Sequence, residues 1–212
     1  MTVKEQYHET LAKTIIQNLA KRQMEGFYCA TAKEACEKAL SFAKPGTSVS
    51  FGGSMTLAES GILDALREKE DITLLDRDSA SSPEEVNRIM HEALSCDCYF
   101  MSTNAITASG ELINIDGNGN RVASLIYGPK QVILIVGINK VVSSVEDGMH
   151  RVRSQASSPN CIRLHKNTPC AATGTCADCL SSDCICNQIV VTRRSGNKDR
   201  IKVILVGESL GY

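Results

Sequence analysis

An excess of charge of either sign is missing from this 212-residue sequence: 23 lysines and arginines face 24 aspartates and glutamates. That balance excludes the electrostatic footprint of a nucleic-acid binder or of a protein held on an anionic membrane. A small molecule or another protein is left as the partner. No apolar run approaches the ~20 residues that a membrane span requires. The opening stretch "MTVKEQYHETLAKTIIQNLAKRQMEG" scatters charge throughout and does not read as a signal peptide. The expected compartment is a reducing cytoplasm, where clustered cysteines serve as metal ligands or redox centres more often than as disulfides. No repeat, low-complexity tract or linker divides the chain, so residues 1–212 are taken as one domain.

What is present is a rhythm. Leu11, Ile15, Ile16, Leu19 and Ala20 share a helical stripe opposite Lys13, Gln17, Asn18 and Lys21, which predicts an amphipathic helix over residues 3–24, ended by Gly26. Short apolar runs then alternate with helical patterns: "FYCA" before Lys33–Phe42, "SVSF" before Met55–Arg67, "ITLLD" before Pro83–Ser95. "CYFMST" resumes as a strand, "ELINID-GNGN-RVASLIYG" reads as a hairpin, and "QVILIVGI" reads as a central, fully buried strand. A helix over 144–157, a cysteine-rich loop over 167–187 and a second hairpin, "QIVVTRR-SGNK-DRIKVILVG", complete the chain. The predicted fold is α/β: a three-layer, mostly parallel sheet with helices on both faces and antiparallel hairpin additions.

Two stretches point to a ligand. In "SVSFGGSMTLAESG", Gly52, Gly53 and Ser54 stand where a strand gives way to a helix, a turn that aims free N–H groups at an anion. The bland reading is a tight turn with Ser54 as N-cap. The stretch is neither a Walker motif nor G-x-G-x-x-G. In "STNAITASGELINIDGNGNRVA", Thr103 and Asn104 should lie beyond a strand's carboxyl end, where open α/β sheets bind ligands, and Glu111 is the nearest candidate acid or base. Asp116 and Asn118 read as turn chemistry. No Ser/His/Asp set is evident. His8 reads as a surface residue, His91 as structural, and His165 as either solvated or an accessory to the cysteines.

Those cysteines run Cys170-x5-Cys176-x2-Cys179-x4-Cys184-x-Cys186, five of the chain's ten. One C-x2-C pair directs two thiolates at one metal and flanking thiolates complete a site, although a second C-x2-C is absent. Iron–sulfur and zinc both stay open, with a thiol–disulfide pair next. Cys29, Cys36, Cys96, Cys98 and Cys161 read as small buried hydrophobes.

Taken together, "SFGGSMTLAESG", "STNAITASGELINIDGNGNRVA", "VILIVGINKVV", "SPNCIRLHKNTPC" and the cysteine loop resemble the LUD-domain family of lactate utilization proteins, from about Tyr7 to the terminal "ESLGY". The resemblance implies a fold akin to the sugar isomerase (NagB/RpiA) and CoA-transferase class. It also implies a role in oxidising L-lactate to pyruvate beside iron–sulfur partner subunits. It carries over Gly52-Gly53-Ser54, Thr103-Asn104, Gly110-Glu111, Asp116-Gly117 and, in the cysteine-bearing branch, Cys170, Cys176, Cys179 and Cys186 as metal ligands. That branch has "SPDRIC" where this chain has "SSDCIC", which marks Cys184 as the spare thiol.

The functional expectation is a small anionic metabolite gripped by Gly52, Gly53 and Ser54, oriented by Thr103 and Asn104, with Glu111 moving a proton and an iron–sulfur cluster or zinc on the loop. A homo-oligomer is left open. One rival is a stand-alone isomerase or transferase on a phosphorylated sugar or acyl-CoA, with Glu111 as base or nucleophile. Another is a redox-sensing subunit whose cysteines form disulfides.

Overall fold

The computed structural model describes residues 1–212. In it the apolar runs become six strands, all parallel, in the order β1 (Glu25–Cys29), β10 (Ile201–Val206), β7 (Gln131–Gly137), β4 (Cys98–Met101), β2 (Ser48–Phe51), β3 (Thr73–Leu75). Strand β7 shows why a parallel strand reads as unbroken apolar sequence. Val132, Leu134 and Val136 enter one core, Ile133 and Ile135 the other, and all are fully buried. Helices α1 (Val3–Lys21) and α6 (Asn120–Ile126) cover the first face through Ala12, Ile15, Leu19 and Leu125. Helices α2 (Ala32–Leu40), α3 (Met55–Glu59) and α4 (Ile62–Arg67) cover the second through Ala35, Ala39, Leu57, Ile62 and Leu66. Each large side chain so buried contributes about 1.5–3 kcal/mol. The three-layer α/β expectation is met.

Some boundaries differ. Helix α1 stops at Lys21 because Gln23 turns left-handed at φ 58°, and Gly26 lies inside β1. The helix expected over Met55–Arg67 breaks at Gly61, φ 74°, into α3 and α4.

Both predicted hairpins are corrected. "RVASLIYG" is not a strand but α6, the crossover that carries the chain from β4's neighbourhood to its parallel partner β7. Parallel neighbours demand such a crossover. The "GNGN" signal is spent on an Asx turn, in which Asp116 Oδ1 accepts the N–H groups of Asn118 (3.1 Å) and Gly119 (2.8 Å). Likewise β9 (Gln188–Thr192) does not pair with β10. It joins a second sheet in the order β8 (Val141–Val142), β5 (Ala105–Thr107), β6 (Leu112–Asp116), β9, with β6 antiparallel to both neighbours. The chain then crosses to the main sheet past the end of α1, where Ser195 and Asp199 donate to the Arg22 and Gln23 carbonyls at 3.0 Å. The antiparallel pairings therefore lie in this second sheet.

A third cluster of Ala105, Ile113, Ile115, Val152 and Ala156 packs the second sheet against a long helical segment. That segment runs through α7 (Val145–Arg151), a π-helical stretch Val152–Ser157 and α8 (Ser158–Arg163). Pro159, in the first turn of α8, lacks an N–H, and the widened turn just before it absorbs the mismatch. From β2 the chain moves to one sheet edge through β3, whereas from β4 it moves toward the other through β7. The crevice of an open α/β sheet forms where the direction reverses, here beyond the carboxyl ends of β2 and β4.

Candidate functional site

A cavity of about 510 Å³ opens there, bounded by the β2 and β4 ends, the π-helical stretch, α8 and the cysteine loop. The β2 end supplies Gly52, Gly53 and Ser54. The Gly52 N–H is held by the Phe100 carbonyl at 2.9 Å, whereas the Gly53 and Ser54 N–H groups have no partner in the chain. Ser54 Oγ accepts the Leu57 N–H at 3.4 Å, so the hydroxyl caps α3. A side chain on Gly53 would overlap the Arg77 guanidinium, which lies across that turn.

The β4 end supplies Ser102, Thr103 and Asn104. Thr103 is buried and its one hydroxyl proton is shared between the Ala105 (2.9 Å) and Ile113 (3.1 Å) carbonyls, so its hydroxyl is structural. Asn104 Oδ1 accepts from the Ile115 N–H (3.0 Å) and from Arg121 (3.2 Å). Its amide nitrogen makes no bond within the chain and is left for the cavity.

Arg121, hidden in the sequence behind the supposed hairpin turn, is the organiser of this wall. Its guanidinium donates to Asn114 Oδ1 (2.6 Å) and to the Ser102 (3.1 Å) and Ile115 (2.8 Å) carbonyls, and Asp116 Oδ2 stands 3.3 Å from Nε. Burial pushes its pKa down, opposed by Asp116. Asp116, read as turn chemistry, thus has one oxygen in the turn and the other beside the cavity's central cation.

Lys140 follows the central strand and is 4 % exposed. Its Nζ donates to Thr56 Oγ1 at 2.7 Å and Ser102 Oγ at 3.1 Å and pairs with no carboxylate. Burial, then the nearby Arg151 and Arg121 charges, push its pKa down to about 7, with Glu59 opposing. The last residues fold over it: Leu210 donates to Asn139 Oδ1 at 3.1 Å, and Gly211 donates to Glu59 at 2.6 Å. Arg77, Arg121, Lys140, Arg163 and Lys166 line the cavity against only Asp116 and Asp183. The sequence reading singled out none of these five cations. The available signal for Lys140 was its place directly after the most apolar strand, where central parallel strands meet ligands.

Glu111 does not line the cavity. Its carboxylate is bound by Arg22, Thr107 and, at 2.7 Å, Ser109. Burial raises its pKa, but hydrogen bonds from Thr107, Ser109 and its own N–H, with the Arg22 charge, outweigh that and hold it below the usual carboxylate range. Such a group is a poor proton acceptor and a good clamp.

Of the late cysteines, Cys184 lines the cavity and the Cys186 N–H donates to its sulfur at 3.4 Å. Cys170 is buried against Thr168, whose hydroxyl is 3.2 Å from the sulfur. Its direct thiol neighbour is Cys161 of α8, one of the five read as inert. Burial raises the Cys170 pKa, yet hydrogen bonds from Thr168, Cys161 and Ser158 bring it below the ordinary thiol value. His165 is exposed. All ten cysteines are free thiols, and no three Cys, His, Asp or Glu side chains converge at metal-ligand spacing. Cys170, Cys176, Cys179 and Cys186 as placed therefore do not fit an iron–sulfur cluster or a zinc ion. No helix is long and apolar enough to cross a membrane.

No curated protein matches the chain. Among solved structures, a DUF162 family protein from Deinococcus radiodurans is similar over 94% of this chain and 98% of its own, at 14% identity and a TM-score of 0.51, a likeness of fold. Ribose 5 phosphate isomerase A from Neisseria gonorrhoeae is similar over 54% of each chain at 17% identity and a TM-score of 0.36, too slight a likeness to build on. The sequence model of the LUD domain family matches residues 12–206, which include both sheets and every lining residue of the cavity but Tyr212, and the chain belongs to that family.

Proposed function

We propose that the cavity binds a small organic acid of the lactate and pyruvate kind and that the protein takes part in its oxidation, the two electrons leaving to a redox partner subunit. The observation that carries this reading is the charge imbalance of the cavity: Arg77, Arg121, Arg163 and Lys166, beside the buried Lys140, face two acids of which Asp116 is already paired with Arg121. An excess of positive charge around one cleft draws an anion into it. The free N–H groups of Gly53 and Ser54, the Arg77 guanidinium and the Asn104 amide are all donors, and a carboxylate accepts from such groups through both oxygens. The family's link to lactate utilization supports the choice of acid.

Calorimetric titration of the purified chain with L-lactate, pyruvate and ribose 5-phosphate tests this. Both carboxylic acids are expected to bind, and Arg77→Ala is expected to weaken them roughly 10- to 100-fold, the loss of a hydrogen bond to a charged group worth about 1.5–3 kcal/mol. Arg77 is partly exposed, so the variant should fold. Failure of every small carboxylate to bind would end the reading. Turnover of a phosphosugar by the isolated chain would replace it with the isomerase alternative.

A further inference from the structure

Anion binding alone does not account for the way Lys140 is held. Both of its hydroxyl neighbours are committed as donors elsewhere: Thr56 Oγ1 to the Leu210 carbonyl at 3.3 Å, and Ser102 Oγ to the Thr103 carbonyl at 3.3 Å. A hydroxyl has one proton to give, so each can only accept from the lysine. Two N–H bonds of the amine are thereby fixed. In the neutral amine, what remains for the cavity that Lys140 lines is the lone pair. The charged groups acting on it are Arg121 of α6, Arg151 of α7 and Glu59 of α3, and burial with the two arginines brings its pKa down to about 7, so a large share of the amine is neutral near physiological pH. A desolvated lysine beside other cations is the usual setting of a nucleophilic amine.

We propose that Lys140 forms an imine with the carbonyl carbon of a 2-oxo acid held in the cavity. The inference rests on the organic-acid reading above and adds a covalent step to it. Lys140 bonds Thr56, two residues beyond Ser54, and lines the same cavity as the Gly53–Ser54 donors that would seat the carboxylate. The amine and the seat of the acid thus share one wall. The nitrogen adds to the carbonyl carbon, the C–O bond breaks, and the oxygen departs as water with the two amine hydrogens. No electrons are exchanged and no co-reactant is needed. L-Lactate, with a hydroxyl in place of the carbonyl, binds without reacting.

The test is reductive trapping of the full chain with pyruvate and cyanoborohydride, followed by intact mass and peptide mapping. One reduced adduct per chain is expected, located on Lys140, and its rate of formation should be about tenfold lower at pH 6 than at about pH 8, as the amine protonates. Lys140→Arg should lose the adduct. Mapping on the unaltered protein decides the matter even if that variant does not fold. Adducts confined to surface lysines, or none at all while calorimetry still shows pyruvate and lactate binding, would overturn the imine and leave the binding reading intact. If neither acid binds, both fall together.

Discussion

At Lys140 the needs of folding and of the site oppose each other. A lysine buried without a carboxylate is unfavourable for the native state, because the unfolded chain binds a proton near the ordinary value of 10.5 whereas the folded chain binds it only near 7. Between those pH values the unfolded state holds more protons, so the ligand-free protein loses stability as pH falls through that window and levels off below it. Lys140→Met removes this dependence and forfeits two hydrogen bonds of about 0.5–1.5 kcal/mol each. The variant's stability relative to wild type should therefore grow by several kcal/mol from pH 10 to pH 7. Thermal unfolding at matched pH checks it, and taking the difference cancels the thiols and tyrosines that titrate in the same range. A flat difference would mean that Lys140 stays charged in the native state. Glu111 teaches the converse lesson about reading single residues. Its polar surroundings suggested an acid–base group, yet Thr107 and Ser109 are polar because they bind that carboxylate.

At the scale of elements, what the sequence disclosed depended on whether the signal was local. The unbroken apolar run of β7 and the stripe of α1 are local and were legible. Strand partners are not: "DGNGN" has the chemistry of a hairpin turn, and only the parallel pairing of β4 with β7 requires a helix after it. Val122 and Leu125, three apart and buried, carried the helical period all along. The π-helical stretch was equally hidden, although Pro159 marked its place. One junction can be tested directly. At Gly137, where β7 ends, a Cβ would stand 2.6 Å from the Leu210 backbone nitrogen and 3.1 Å from the Glu208 carbonyl, so the absent side chain is what lets the final residues close over Lys140. Backbone atoms cannot yield as a side-chain tip does. Gly137→Ala should destabilise the protein by about 1–3 kcal/mol, the usual range for overpacking, and weaken pyruvate binding along with it. Loss of stability with unchanged affinity would show that the covering segment is not part of the site.

The molecule as a whole is two sheets with the cavity along their seam, and away from it Ile106 and Leu112 of the second sheet are buried in the same core as α1 and β7. Arg22, at the end of α1, adds a polar tie at the rim of that core: Nε donates to the Ser109 carbonyl at 2.7 Å, Nη1 to the Arg193 carbonyl at 2.6 Å, and Nη2 pairs with Glu111. The guanidinium thus joins the layer over the main sheet to the β5–β6 turn and to the end of β9. Its side chain is 19% exposed and that of Glu111 17%. Arg22→Ala leaves the carboxylate half-buried without its cation, a loss of about 2–3 kcal/mol for a pair not fully withdrawn from water. Because the low-pKa carboxylate is charged in the native state, acid mimics the variant: the contribution of Glu111 to stability fades as pH falls through its lowered pKa. Hydrogen exchange distinguishes a local from a global effect. If the second sheet opens as its own unit, amides of β5, β6 and β9 in Arg22→Ala should exchange roughly 10- to 100-fold faster while β7 and β10 keep their protection. A bound organic acid, touching the strand ends of one sheet and the flank of the other, should restore part of that protection, by about 2.7 kcal/mol at a hundredfold excess over Kd. Equal acceleration in all strands would show instead that the two sheets unfold as a single cooperative body, with the seam no weaker than the cores on either side.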